Sequence, residues 1–234
     1  MTPPTPDGPP KGGRSARKRA AILGAATDIF LLGGYLGTNV DAIAARSAVS
    51  KQTVYKHFGS KEALFIEIVA SMTSDAGDLV LAESADPDDR AELAGFLQAY
   101  ADKQLTVVLT PRLMQLRRLV IGEVGRFPEL AKVLYERGPE RAVSKLAAMF
   151  KRLAAAGLLA VDDPLVAASH FNWLIMAEPL NRAMLLGDAA IPSAAALRRH
   201  TAEGVRVFLA AYAAPARQPS RLKAKARAPR RSRG

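Results

Sequence analysis

Cysteine is absent from the 234 residues, which removes disulfides and thiolate zinc sites and is compatible with a reducing cytoplasm. Aromatic residues are scarce at 6%, against an apolar fraction of 49% rich in alanine and leucine. That balance suits a helical globule better than a β-sandwich or an unfolded chain. No apolar run approaches the ~20 residues that a bilayer span needs. Met1 to Pro6 has none of the apolar core of a signal peptide, so a cytoplasmic protein with no membrane partner is expected. A glycine-rich phosphate loop, a metal-ligand spacing and a nucleophile elbow are also missing, and the three histidines lie far apart. Nothing here asks for an enzyme, a metal or a cofactor. His170 and His200 read as packing or surface residues.

Acidic residues are nearly missing from the two ends. The net charge is +11, but five Lys/Arg stand against Asp7 in residues 1–19, and eight Lys/Arg with no acid fill residues 215–234. The body between them is close to neutral. Basic ends favour nucleic acid through phosphate neutralisation, although solubilising extensions have the same composition. Five prolines with Gly12, Gly13 and Ser15 mark residues 1–15 as a disordered basic arm, and three prolines among Arg and Lys mark 215–234 as a disordered basic tail. Arg14, Arg17, Lys18 and Arg19 could then reach into a minor groove.

Between the ends, apolar residues recur every three or four positions and no alternating run suggests a strand, so an all-α fold is expected. Residues 16–75 read as a three-helix domain with a helix-turn-helix at 39–58. The stripe Ile22, Ala26, Ile29 and Phe30 defines its first helix, which Gly33-Gly34 stops. Residues 76–214 read as a helical bundle, with helices near 88–109, 112–126, 129–156, 164–186 and 193–213. Gly138-Pro139 is expected to break or kink the third of these, and Glu178-Pro179 the fourth.

The informative segment is Gly34 to Leu64. Thr38 is placed to cap a short helix with Asp41 in its first turn and Val40, Ile43 and Ala44 on its buried side. Ala48-Val49 leave only a tight turn before Ser50 caps the next helix. Val54 and Phe58, four apart, face inward and leave Lys51, Gln52, Thr53, Lys56 and His57 outward, with Tyr55 at the edge. That outward set mixes groups that read base edges with groups that hold phosphate. Ser60 caps a fourth helix whose first turn, with Lys61, offers an anion site.

Gly34-Tyr35, Thr38, Val40, Ile43-Ala44, Val49-Ser50, Val54-Tyr55, His57-Phe58, Ser60-Lys61-Glu62 and Leu64 together resemble the DNA-binding domain of the tetracycline repressor (TetR) family over residues 17–70. The resemblance implies phosphate contacts from Thr38, Asn39, Ser50, Tyr55, His57 and Lys61, and base-facing roles for Lys51, Gln52, Thr53 and Lys56. One position departs: the family usually has glycine in the turn where this chain has Ala48, which costs up to ~1 kcal/mol if the backbone there is left-handed.

The segments Arg112 to Arg117, Glu123, Arg126 to Leu130 and Trp173 to Leu180 resemble the AefR-like branch of the family's regulatory domains. The resemblance implies a ligand-responsive regulator, usually a repressor, that binds palindromic double-stranded operator DNA as a homodimer and answers to a small-molecule effector. Pocket candidates are Met114, Phe127, Phe150, Phe171, Asn172, Trp173 and Met176. The last helix carries Leu197, Thr201, Gly204, Val205, Phe208, Leu209 and Tyr212 on one stripe, expected with the 164–186 helix to form a two-fold four-helix interface. The competing reading is an architectural, nucleoid-type DNA-binding protein whose basic ends do most of the binding.

Overall fold

The computed structural model describes residues 11–80 and 85–215. Residues 1–10 of the expected arm and 216–234 of the expected tail lie outside the described residues. Apart from a single bridge between Leu159 and Ala213, the described chain is helices and turns: α1 (Lys11–Gly37), α2 (Val40–Arg46), α3 (Lys51–Phe58), α4 (Lys61–Val80), α5 (Arg90–Val108), α6 (Pro111–Glu123), α7 (Pro128–Tyr135), α8 (Arg141–Ala155), α9 (Pro164–Leu186) and α10 (Ala194–Tyr212). All-α is the observed fold class.

Sequence chemistry sets most of these boundaries. Asp89, Thr110, Asp163 and Ser193 cap α5, α6, α9 and α10 by accepting hydrogen bonds from first-turn amides, and proline opens α6, α7 and α9. Two boundaries differ from expectation. Helix α1 begins at Lys11, directly after Pro9-Pro10, so Gly12, Gly13 and Ser15 are helical and Arg14, Arg17 and Lys18 project from a helix rather than from an arm. Arg19 is tied down, with its guanidinium 5.0 Å from the Phe58 ring centre and 2.5 Å from Glu67. Helix α9 runs through Pro179 without interruption, and at Gly138-Pro139 the helix is not broken but widens into one π-type turn (Glu136–Glu140) that joins α7 to α8.

Two apolar clusters hold the molecule together. The first joins Ile22, Ala26 and Phe30 of α1, Val40 and Ile43 of α2, Val54 and Phe58 of α3, and Leu64, Phe65, Ile68 and Val69 of α4. Phe30 stacks on Phe65 with ring centres 4.8 Å apart. Leu116 and Val120 of α6 and Leu130 of α7 complete this cluster, so the N-terminal head, α1 to α4, shares its core with the helices that follow. The second cluster fills the bundle of α5, α8, α9 and α10 around Phe150, Phe171 and Phe208.

The stretch Gly13–Gly37 is long and apolar enough to cross a membrane by length and mean hydropathy alone (1.5), contrary to the expectation that no such run exists. Its stripe is spent inside the head, Asp28 on it pairs with both Arg46 and Arg112, and it breaks at Gly34 (φ 69°, ψ 179°).

The turn between α2 and α3 carries backbone strain. Ala48 has φ 54°, the left-handed region in which a Cβ is disfavoured by about 1–2 kcal/mol. Ala48→Gly is expected to stabilise the protein by about 1 kcal/mol, raising Tm by roughly 2–4 °C for a chain of this size. Thermal and denaturant unfolding of the two proteins checks this. An unchanged or lower midpoint would mean that the turn carries no strain.

Candidate nucleic-acid interface and interior cavity

Helix α3 is anchored by buried Val54 and Phe58. Ser50 accepts a hydrogen bond from the Thr53 amide at 3.2 Å and so caps it. The outer face presents Lys51, Gln52, Tyr55 and Lys56 exposed, with Thr53 and His57 half-buried. Lys51 Nζ donates to Asp41 Oδ2 at 3.0 Å, which pins its ammonium beside the start of α2; that hydrogen bond, with the carboxylate's charge, raises the Lys51 pKa. Ser60 Oγ caps α4 by accepting from the Ala63 amide at 2.9 Å. Lys61 Nζ lies 4.6 Å from the Tyr35 ring centre, a cation-π contact that holds it at the head of α4. Burial lowers its pKa, with the Glu123 carboxylate opposing.

Thr38 does not behave as expected. Asn39, exposed, caps α2 by accepting from the Asp41 amide at 2.8 Å. Thr38 is only 4% exposed and donates its hydroxyl to the Gly34 carbonyl at 2.7 Å. The non-helical Gly34 leaves that carbonyl without its helical donor, and the Thr38 side chain supplies one instead. Its hydroxyl is therefore turned inward, away from any phosphate.

Behind the head, α4, α5, α6, the Gly138-Pro139 turn, α8 and α9 line a cavity open at one mouth, with about 90 Å³ free for the centre of a water-sized sphere. Met114, Asn172, Trp173 and Met176 line it, as expected from the sequence. Phe127, Phe150 and Phe171 do not. Phe127 packs on Tyr35, ring centres 4.4 Å apart, in the joint between head and bundle. Phe150 and Phe171 are fully buried, edge to face at 5.7 Å, in the bundle core. Residues missed as lining include Thr73 and Gly77 of α4, Gln104 of α5, and Arg137 beside the turn. Gln104 is 3% exposed and its Nε2 donates to Asn172 Oδ1 at 2.9 Å. A buried glutamine on an otherwise apolar helical face was the available signal.

The two histidines of the bundle stay out of the cavity. His170 Nδ1 shares a hydrogen bond with the Tyr212 hydroxyl at 2.6 Å, and His200 Nε2 donates to the Ile175 carbonyl at 2.8 Å. Among the described residues no cluster of metal-ligating side chains occurs.

The α10 stripe also packs differently from expectation. Leu197, Thr201, Gly204, Val205 and Phe208 are buried inside the subunit. A Cβ on Gly204 would come within 2.6 Å of Ile175 Cδ1, and Thr201 donates to Asp102 of α5 at 2.5 Å. The apolar groups left exposed on these helices are others: Leu165, Val166, Trp173, Leu174, Leu185 and Leu186 on α9 and Val207 on α10.

Residues 22–68 match the model of the bacterial regulatory proteins of the tetR family. Residues 95–214 match that of the AefR-like transcriptional repressor C-terminal domain. Among solved structures, a putative TetR-family regulator from Mesorhizobium loti MAFF303099 is 39% identical, with a TM-score of 0.78 over 86% of this chain and 98% of that one. The flavonoid-responsive regulator FrrA is 32% identical, with a TM-score of 0.70 over 85% of this chain and 98% of its own. The transcriptional repressor Rv3405c of Mycobacterium tuberculosis H37Rv is 30% identical over 70% of this chain and 76% of its own length. The transcriptional activator FasR of Mycolicibacterium smegmatis is 31% identical over 39% of this chain, a match spanning 43% of that protein. These families and relatives are transcription regulators, not enzymes. With a helix-turn-helix head and an AefR-like helical domain matched along one chain, this protein belongs to the TetR family of bacterial transcriptional regulators.

Proposed function

We propose that the protein is a ligand-responsive repressor that binds a palindromic operator as a homodimer, works in the cytoplasm, and is released from DNA by a small molecule held in the interior cavity. The observation that carries this reading is the double role of α4. Leu64, Phe65 and Ile68 near one end are buried in the head core against α3, while Thr73, Ala76, Gly77 and Val80 at the other end line the cavity. A ligand that favours one position of the cavity end of α4 therefore biases the reading head, by as much as its affinities for the two positions differ. Coupling of this kind is typically about 1–3 kcal/mol.

On the DNA side, Lys51, Gln52, Thr53 and Lys56 face the bases. Asn39, Ser50, Tyr55, His57 and Lys61 hold phosphates. Thr38 drops out of the phosphate set because its hydroxyl is engaged at Gly34. Repression rather than activation is favoured because the repressor Rv3405c aligns over 70% of the chain and the activator FasR over only 39%. One eight-residue recognition helix reads too few base pairs alone, so two heads must lie about 34 Å apart, or a multiple of that, along one duplex. The exposed Val166 and Leu174 of α9 and Val207 of α10 supply the apolar face that a second copy would cover in a four-helix contact.

Selection of bound sites from random DNA at physiological salt checks the recognition surface. Gln52→Ala is expected to relax base preference at one position per half-site, by about 1–3 kcal/mol of discrimination. Tyr55→Phe is expected to weaken all sites alike. Unchanged site preference in Gln52→Ala would show that this face does not read sequence. For the dimer, Leu174→Glu with Val207→Glu is expected to yield a folded monomer by sedimentation, with operator affinity lower by roughly a hundred-fold or more. A dimer that persists would place the interface elsewhere.

A further inference from the structure

The polar groups of the cavity are strongly one-sided. Its lining contains Arg117, Arg137 and Arg141 and no aspartate or glutamate. Two of these arginines already have partners: Arg141 pairs with Asp78 at 2.5 Å, and Arg137 donates to Ser74 Oγ at 3.4 Å. Arg117, half-buried on α6, makes no hydrogen bond or ion pair among the described residues. Burial alone lowers its pKa, with no carboxylate offsetting it. Its neighbours Arg112 and Arg118 are both engaged, with Asp28 and Asp188 respectively.

An unpaired guanidinium in apolar surroundings is costly, and a ligand that brings a negative charge would relieve it. The rest of the wall, including Met114, Leu116, Met176 and Leu180, is apolar, which an inorganic anion would leave uncovered.

We propose that the cavity selects an organic anion, an apolar body whose acidic group meets Arg117. This rests on the cavity being the effector site. A neutral apolar ligand would leave the guanidinium without a counter-charge, and a cation would meet three arginines and no acid.

The probes are anilinonaphthalenesulfonate and its uncharged parent phenylnaphthylamine, which share an apolar body and an N–H donor and differ by the sulfonate. Both are titrated by fluorescence into the full chain. The sulfonate is expected to bind roughly ten- to a hundred-fold tighter than the parent, as a charge-assisted hydrogen bond gives. Arg117→Met is expected to erase that preference and leave the parent's affinity within about two-fold, while Arg117→Lys keeps a preference for the anion. Equal affinities in the unaltered protein, or a preference that survives Arg117→Met, overturn the anion assignment and leave the cavity as effector site. If Met176→Trp, which fills the cavity, leaves both affinities untouched, or if neither probe binds, the cavity reading itself fails, and this inference with it.

Discussion

Leu116, Val120 and Leu130, supplied by the larger unit, close the core of the smaller one. The arrangement follows from size. Helices α2 and α3 have only seven and eight residues, and a head of this length buries too small a share of its surface to be robust alone. Borrowed side chains relieve that shortage, with about 1.5–3 kcal/mol gained for each large apolar group fully buried. The consequence is mechanical: a head whose core includes α6 and α7 cannot drift independently of them. Tyr35 strengthens the joint by packing on Phe127 on one side and beneath Lys61 on the other.

Helix α6 divides its side chains among three tasks. Met114 belongs to the bundle core, Leu116 and Val120 to the head core, and Arg117 to the cavity. Arg112 reaches Asp28 on α1, and Arg118 reaches both Asp188 and the Ala183 carbonyl at the end of α9. The ion pairs are half-exposed, so each contributes little stability, and each can break without unfolding anything. The apolar contacts are the strong ones. A joint with strong apolar packing and weak polar ties can hold two arrangements of similar free energy, as a switch requires.

Much of this was legible in the sequence where the signal is local. Proline at the first helical position, Ser and Asp caps, and the three- and four-residue recurrence of apolar groups placed α2, α3, α5, α6, α9 and α10 to within about three residues, while α7 and α8 read as one segment and the domain boundary expected at residue 75 falls inside α4. The α3 face followed from the spacing of Val54 and Phe58. What failed was whatever depends on a partner distant in sequence. The α10 stripe was correctly apolar, but periodicity says which side is buried and not against what, and the partners are α5 and α9 of the same subunit, with Thr201 against Asp102 and Gly204 against Ile175. Phe127, Phe150 and Phe171 have the composition of pocket linings and serve as packing. Thr38 is as good a cap as Asn39 by residue type; the kink at Gly34 decided between them by leaving a carbonyl for the Thr38 hydroxyl. Gln104 stands out as a glutamine on an apolar helical face, but nothing local places it and Arg117 around one cavity, because they come from different helices.

The length of α4 gives the proposed release mechanism its scale. Its twenty residues span about 30 Å at 1.5 Å per residue. From Thr73, the first cavity-lining residue on it, to Lys61 is about 18 Å at that rise. A tilt of about 10° about the cavity end would carry the Lys61 end, and α3 packed beside it, by roughly 3 Å. Base-edge hydrogen bonds tolerate only a few tenths of an ångström. In a two-fold dimer the displacement occurs at both heads, so their separation changes by up to twice as much while the spacing of half-sites on the duplex stays fixed. A shift that leaves the head's own core intact is therefore enough to take both recognition helices out of register.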